Sequence, residues 1–269
     1  IKLQNVLLVA ASYLFYGLWD WRFLGLIFLS TLCDYVVGIC LEQLKNTTRR
    51  KLLLGTSILM NIGLLGVFKY YDFFVQNFID AFRFFGHGLS PSSLQLILPV
   101  GISFYTFQTL SYTIDVYKEK VKPSRDFIAF SAFVSFFPQL VAGPIERASN
   151  LLPQFLNKRT FDYSKAVSGL KQILWGLFKK VVVADNAARV SDFAFDHYEV
   201  LNGSSLLLGA FFFAIQIYCD FSGYSDIAQG SARILGIRLM DNFKFPLYAK
   251  TIDDLWRRWH ISLVRWFTD

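Results

Sequence analysis

"LQNVLLVAASYLFYGLWDWRFLGLIFLSTLCDYVVGICLEQL" occupies residues 3–44 and decides the class of fold. A helix that crosses a bilayer needs about 20 mostly apolar residues. Residues 3–19 and 23–44 each meet that need on either side of a tight turn, "WDWR" at Trp19–Arg22. Further along, residues 52–68, 94–114 and 206–221 are apolar runs of the same kind, while 127–142 and 173–184 are shorter and interrupted. Composition agrees. Of 269 residues, 54% are hydrophobic and 18% aromatic, and only 17% are charged, against about 25% in a typical soluble domain. A soluble chain of this length has no interior able to hide 29 Phe, 13 Tyr and 6 Trp. The fold class expected is therefore all-α: a polytopic transmembrane helical bundle with re-entrant or interfacial helices. Residues 1–269 read as a single membrane domain, beginning without a start Met at Ile1 and stopping at Asp269 after a helix-like run, and so as an excerpt incomplete at both ends.

The net charge of +7 does not point to nucleic acid, because the cations fall in short clusters between apolar runs. "KNTTRRK" (45–51) and "YKEKVKPSR" (117–125) carry four basic residues each. By the positive-inside rule these loops are cytoplasmic. The aromatic, cation-poor "YYDFFVQNFIDAFRFFGHGLSPSS" (70–93) is then outside, as an amphipathic helix in the outer interface. Cys33, Cys40 and Cys219 all lie in apolar stretches, and no Cys/His cluster has metal-ligand spacing.

Two interruptions of the apolar pattern stand out. "FFPQLVAGPIER" (136–147) carries Pro138, Gly143 and Pro144, which break a helix at membrane depth. The run 173–184 holds Lys179 and Lys180 in its middle, read as an interfacial helix whose lysines snorkel to the membrane surface.

Chemistry concentrates late in the chain. "QIYCDFSGYSDIAQG" (216–230) sets Asp220, Ser222, Tyr224 and Asp226 directly after an oily run, with Gly223 as a kink or cavity-lining loop. Intramembrane carboxylates are costly and mark functional cavities, although the same polarity fits a span's exit into water. "DDLWRRWHISLVRWF" (253–267) holds Trp256, Arg257, Trp259 and His260. Thr251 followed by Asp254 resembles a capping box, and the Asp253/Arg257 and Asp254/Arg258 pairs are in the favourable acid-first order. A continuous helix would put Asp253, Trp256, His260, Leu263 and Phe267 on one face. His260 is then either a general base or a residue of an interfacial anchor; helix geometry alone does not choose. His87 and His197 read as loop residues.

Taken together, "QIYCDFSGYSDIAQGSARILGI" (216–237), "DNFKFPLYAKTIDDLWRRWHISL" (241–263), "LILPVGISFYTFQTLSYTIDVYKEK" (96–120) and "FVSFFPQLVAGPIERASNLLPQF" (133–155) resemble the membrane-bound O-acyltransferase family. The resemblance is to the branch containing the alginate O-acetylation protein and the teichoic-acid D-alanyl transferase. It implies a multi-pass protein of the bacterial inner membrane that passes an acyl group, acetyl above all, from a cytoplasmic donor such as acetyl-CoA to an exported polysaccharide such as alginate. Transfer would be direct or through a periplasmic acetyltransferase or other acceptor protein. No tightly bound cofactor or metal is implied, and membrane lipid is the surrounding partner. The resemblance makes His260 the motif histidine, with Asp220, Ser222, Tyr224, Asp226, Trp256, Arg257 and Trp259 supporting or lining its cavity. The family's second histidine falls beyond Asp269, so the excerpt alone is expected to be inactive. The alternatives are D-alanyl or other acyl transfer from a carrier protein to a cell-wall polymer, and a non-catalytic scaffold or transporter. A transporter would more often show an inverted repeat, and none is visible.

Overall fold

The structure is a computed structural model that describes residues 1–84, 101–140 and 143–268. Every regular element among them is helical. Among the described residues, three stretches are long and apolar enough to cross a membrane, Lys2–Gln43, Thr47–Asp80 and Gly203–Ile234. The chain divides into two compact units, one formed by residues 2–137 with 147–155 and the other by 138–146 with 156–269.

In the first unit, helix α1 (Lys2–Asp20) passes through a 3₁₀ turn (Trp21–Phe23) into α2 (Leu24–Gln43). Asp20 makes that turn: its carboxylate accepts from the Arg22 backbone N–H at 3.0 Å and pairs with the Arg22 guanidinium. Helix α3 (Thr47–Phe84) is one element of 38 residues. At about 1.5 Å per residue it is longer than a bilayer core of about 30 Å. The described part of the aromatic stretch, expected as a separate interfacial helix, is therefore the continuation of the span; residues 85–93, His87 included, lie outside the described residues. Helix α4 (Ile102–Tyr117) packs on α2 and α3, and α5 (Phe127–Ser135) packs on α1 and α2. The two basic loops meet at one end, where Arg50 donates to the Glu119 carboxylate at 2.5 Å and to the Tyr117 carbonyl at 2.7 Å. That geometry fits their placement on one side of the membrane.

Inside this unit sits a carboxylate that composition gave no reason to single out. Asp34 is completely buried, with Oδ1 accepting from Ser57 (2.5 Å) and Thr113 (3.2 Å) and Oδ2 from Asn61 (2.8 Å). Thr109 and Ser30 donate to the Asn61 amide oxygen. The hydroxyls of α4 thus tie it to α2 and α3, since a polar group in an apolar interior must find partners.

After Ser135 the helix stops, α6 (Phe137–Leu140) is one turn long, and the backbone from Gly143 to Arg147 is irregular, as the Pro/Gly pattern predicts. Helix α7 (Ala148–Leu156) follows, burying Leu151, Leu152 and Phe155.

The second unit is built on α10 (Gly203–Ile234), which runs antiparallel to α8 (Tyr163–Leu177). A π-helical segment (Phe178–Ala184) joins α8 to α9 (Asp185–Asp196). Helix α10 continues unbroken through Gly223, so Gly223 is not in a loop, contrary to one of the two sequence expectations. It is a buried contact: a Cβ at Gly223 would lie 2.8 Å from the Gly176 carbonyl oxygen, and one at Gly230 would lie 2.6 Å from that of Gly169. Small residues let helix backbones approach in this way where no hydrophobic force drives association. Gly230→Leu is expected to force α8 from α10 and lower the apparent melting temperature in detergent by roughly 4–10 °C. Gly55→Ala, where an added Cβ meets nothing within 4 Å, is the matched control; an unchanged Gly230→Leu melting curve would remove the contact from the account.

Candidate functional site

Successive residues of α10 are turned by about 100°, and this splits the polar run 216–230 into opposite faces. Ser222, Ser225, Asp226 and Gln229 share one face and line a cleft of about 690 Å³ with Gln172, Lys179, Asp241 and Asn242. Trp175, Phe178, Tyr218 and Phe243 supply its apolar wall. Lys179 lies in the π-helical segment, a geometry that often marks functional positions. Its ammonium pairs with the Asp226 carboxylate and donates to Ser222 Oγ at 3.1 Å. Gln172 Nε2 donates to Asp226 Oδ1 (3.1 Å) and Gln229 Oε1 (2.6 Å), and Gln229 Nε2 reaches Asp241 Oδ1 (3.0 Å). Both lysines, expected to snorkel, are ion-paired. Each finds a carboxylate across the helix pair, which is the cheaper solution for a charge in an apolar setting.

Asp220 and Tyr224 face the other way. Asp220 Oδ1 is 2.8 Å from the Lys180 ammonium, which also pairs with Asp185 at 2.7 Å and lies over the Tyr224 ring. Asp220 and Tyr224 are not among the residues lining the cleft. The four α10 residues expected at one cavity are thus brought together in two pairs, Ser222 with Asp226 and Asp220 with Tyr224.

The motif around His260 is also not one helix. Thr251 caps α11 (Ile252–Arg258) through its hydroxyl, which accepts from Asp254 N–H at 3.1 Å, and both acid-first ion pairs form, at 2.9 Å (Asp253–Arg257) and 2.7 Å (Asp254–Arg258). The helix then ends. His260 has φ +42°, in the left-handed region, and α12 (Ile261–Thr268) starts afresh after it. A non-glycine residue there costs about 1–2 kcal/mol, so surrounding contacts must hold it. The shared face expected for Asp253, Trp256, His260, Leu263 and Phe267 therefore does not exist. Trp256 and Arg257 instead line a separate hollow of about 480 Å³ with Arg265 and Thr268.

The turn delivers His260 to α10. Its ring meets Phe221 edge-on at 4.6 Å, while Trp259 packs against Tyr218 and Phe243, two residues of the cleft wall. The Nε2 atom is buried and has no hydrogen-bond partner among the described residues. Desolvation in this aromatic setting lowers the imidazole pKa from 6.5 to about 4, so the ring is neutral near pH 7 and Nε2 or Nδ1 is left as a hydrogen-bond acceptor. His197, by contrast, is exposed and stacked on Phe193. Lys179, Gln172 and Asn242 went unrecognised as site residues from sequence. The available signal was balance: two lysines and two carboxylates in neighbouring apolar runs call for one another.

Stretches long and apolar enough to cross a membrane, three among the described residues, mark a multi-pass helical membrane protein, with a polar cleft set between its helices. The chain belongs to the membrane-bound O-acyltransferase family, whose model matches residues 122–268. It is 41% identical to the probable alginate O-acetylase of Pseudomonas putida over 100% of this chain and 55% of that protein. It is 37% identical to the peptidoglycan O-acetyltransferase of Helicobacter pylori over 97% of this chain and 54% of that protein. It is 30% identical to the teichoic acid D-alanyltransferase of Bacillus subtilis over 65% of this chain and 45% of that protein. The chain thus spans about half the length of the curated relatives it matches.

Proposed function

We propose that the full-length protein is an O-acetyltransferase component of a bacterial inner membrane, passing an acetyl group from cytoplasmic acetyl-CoA to an exported polysaccharide of the alginate type. The observation that carries this reading is His260: an imidazole whose Nε2 is buried and has no partner among the described residues, held beside the span that forms the cleft. Such a base takes the proton of an acceptor hydroxyl as its oxygen attacks the thioester carbonyl. Collapse of the tetrahedral intermediate breaks the C–S bond, and the thiolate leaves with the proton held by the imidazole. The acceptor is the polysaccharide itself or a periplasmic acetyltransferase that passes the group on. The names of the relatives from Pseudomonas and Helicobacter support acetyl as the group. The Bacillus relative supports a second reading, D-alanyl transfer from a carrier protein.

Inside-out membrane vesicles containing the full-length protein separate the two. Isotope-labelled acetyl-CoA supplied at the cytoplasmic face is expected to label the acceptor, while a D-alanyl-loaded carrier protein is expected to leave it unlabelled. The reverse pattern would assign the D-alanyl reaction.

A further inference from the structure

The left-handed corner at His260 has to be held by something, and the holding group is a buried asparagine that comes from 18 positions earlier in the chain. Asn242 is 1% exposed. Its backbone carbonyl accepts from Ile261 N–H at 2.9 Å, on the residue directly after His260. Its side-chain Oδ1 accepts from Ser262 Oγ at 2.6 Å, and its Nδ2 donates to Ser225 Oγ of α10 at 3.0 Å. Ser262 and Ser225 are themselves buried, and Ser262 Oγ accepts in turn from Ile145 N–H at 3.1 Å. A second backbone bond, Lys244 N–H to Arg258 C=O at 3.0 Å, holds the residues on the near side of the corner to the same segment. The residue between these two anchors, Phe243, packs edge-on against both Trp259 and Phe221. The strained turn is thus clasped before and after the histidine, and one side chain connects the clasp to the helix against which the imidazole rests.

We infer that Asn242 is a positioning residue for His260: it fixes the corner to Ser225 of α10 and so sets where the imidazole points. This rests on the reading of His260 as the acid–base group only for its effect on transfer, not for the clasp itself. Both hydrogen-bonding ends of the amide are used, so the residue type is specified. An alanine loses both bonds and frees the corner to relax toward ordinary backbone angles, as a residue in a sparsely populated conformation does when its surroundings no longer over-determine it. A serine at 225 or 262 has its hydroxyl committed to the same chain, so each can be tested separately.

The test uses the full-length protein and diethyl pyrocarbonate, which carbethoxylates accessible imidazole nitrogens, read by peptide mass spectrometry. Exposed His197 serves as the internal reference. In the parent, His260 is expected to react more slowly than His197. Asn242→Ala is expected to raise the His260/His197 ratio about tenfold, since two buried hydrogen bonds are lost, and Ser225→Ala about threefold, since one is. Because Ser225→Ala keeps the bond between Asn242 and Ser262, it decides the matter if Asn242→Ala fails to accumulate in the membrane. An unchanged ratio in the variants that accumulate would overturn the inference. Acyl transfer supplies the second readout. If Asn242 acts through His260, Asn242→Ala lowers transfer in the parent and has no further effect on whatever remains in His260→Gln. A further loss in that background would mean that Asn242 acts elsewhere, and would overturn the positioning role. Raised ratios with undiminished transfer would keep the clasp and sink the acid–base reading of His260, so the two failures are distinguishable.

Discussion

His260→Ala in the full-length protein is expected to lower acylation of the exported product by about 10²–10⁴-fold, the range a positioned acid–base group contributes, with the amount of membrane-inserted protein unchanged. Among the described residues the fold does not use the imidazole for hydrogen bonding: Nε2 has no partner there, and the ring packs edge-on against Phe221. His260→Gln keeps polarity and rough volume but cannot exchange a proton near neutral pH, and it is expected to be as inactive as the alanine variant. If glutamine restores transfer and alanine does not, the residue is a hydrogen-bonding support. If both variants match the parent, the motif is only an anchor and the site assignment fails. The pH dependence is a separate check. With a folded-state pKa near 4 against an ordinary 6.5, the unfolded chain binds more protons across that window. The stability linked to His260 is therefore fully present above about pH 6.5 and declines as pH falls toward 4. Transfer limited by His260 should likewise hold from pH 8 to about 5 and fall only near 4. An acid limb centred at 6.5 would mean that the imidazole is not desolvated as the structure has it.

Much of this arrangement is legible in the residues, and the parts that are not share a cause. The apolar runs locate α1, α2 and α10 because a bilayer-length run of hydrophobic residues admits few other solutions. The Thr251 cap and the two ion pairs of α11 are read correctly because they are local, each made within four residues. What fails is whatever depends on a neighbour from elsewhere in the chain. Gly223 reads as a breaker until Gly176 is seen opposite it, where the same lack of a Cβ serves close packing. Lys179 reads as a snorkelling residue until Asp226 is placed across from it. The sequence "WRRWHISL" contains no glycine or proline to announce a stop, and an unbroken helix is the reasonable expectation. The stop comes from Asn242, which captures Ile261 and Ser262 from outside any helical window. Asp34 was invisible for a similar reason, since its partners come from α3 and α4.

Asp226→Asn is the second substitution with a large expected effect, and Asp220→Asn is its control on the opposite face of the same helix. The Lys179 and Asp226 side chains are 15% and 20% exposed, so removing one partner leaves a charge in a confined, poorly solvated position. Breaking a fully buried pair costs about 3–5 kcal/mol; opening onto the cleft places this one toward the lower end. A loss of that size should show as markedly less monodisperse protein on size-exclusion chromatography in detergent, with transfer reduced at least as much. Asp220 is 40% exposed, and its partner Lys180 keeps Asp185 when Asp220 is neutralised. Asp220→Asn should therefore be nearly silent in both measurements. The double variant Lys179→Gln/Asp226→Asn separates structure from chemistry. Neutralising both partners removes the uncompensated charge, so folded protein should recover. If transfer recovers with it, the pair is only a strut between the π-helical segment and α10. If folded protein returns and transfer stays low, the charges themselves serve the cleft. Equal losses for Asp220→Asn and Asp226→Asn would contradict the two-faced reading of α10, because among the described residues only Asp226 is the sole ion-pair partner of its lysine.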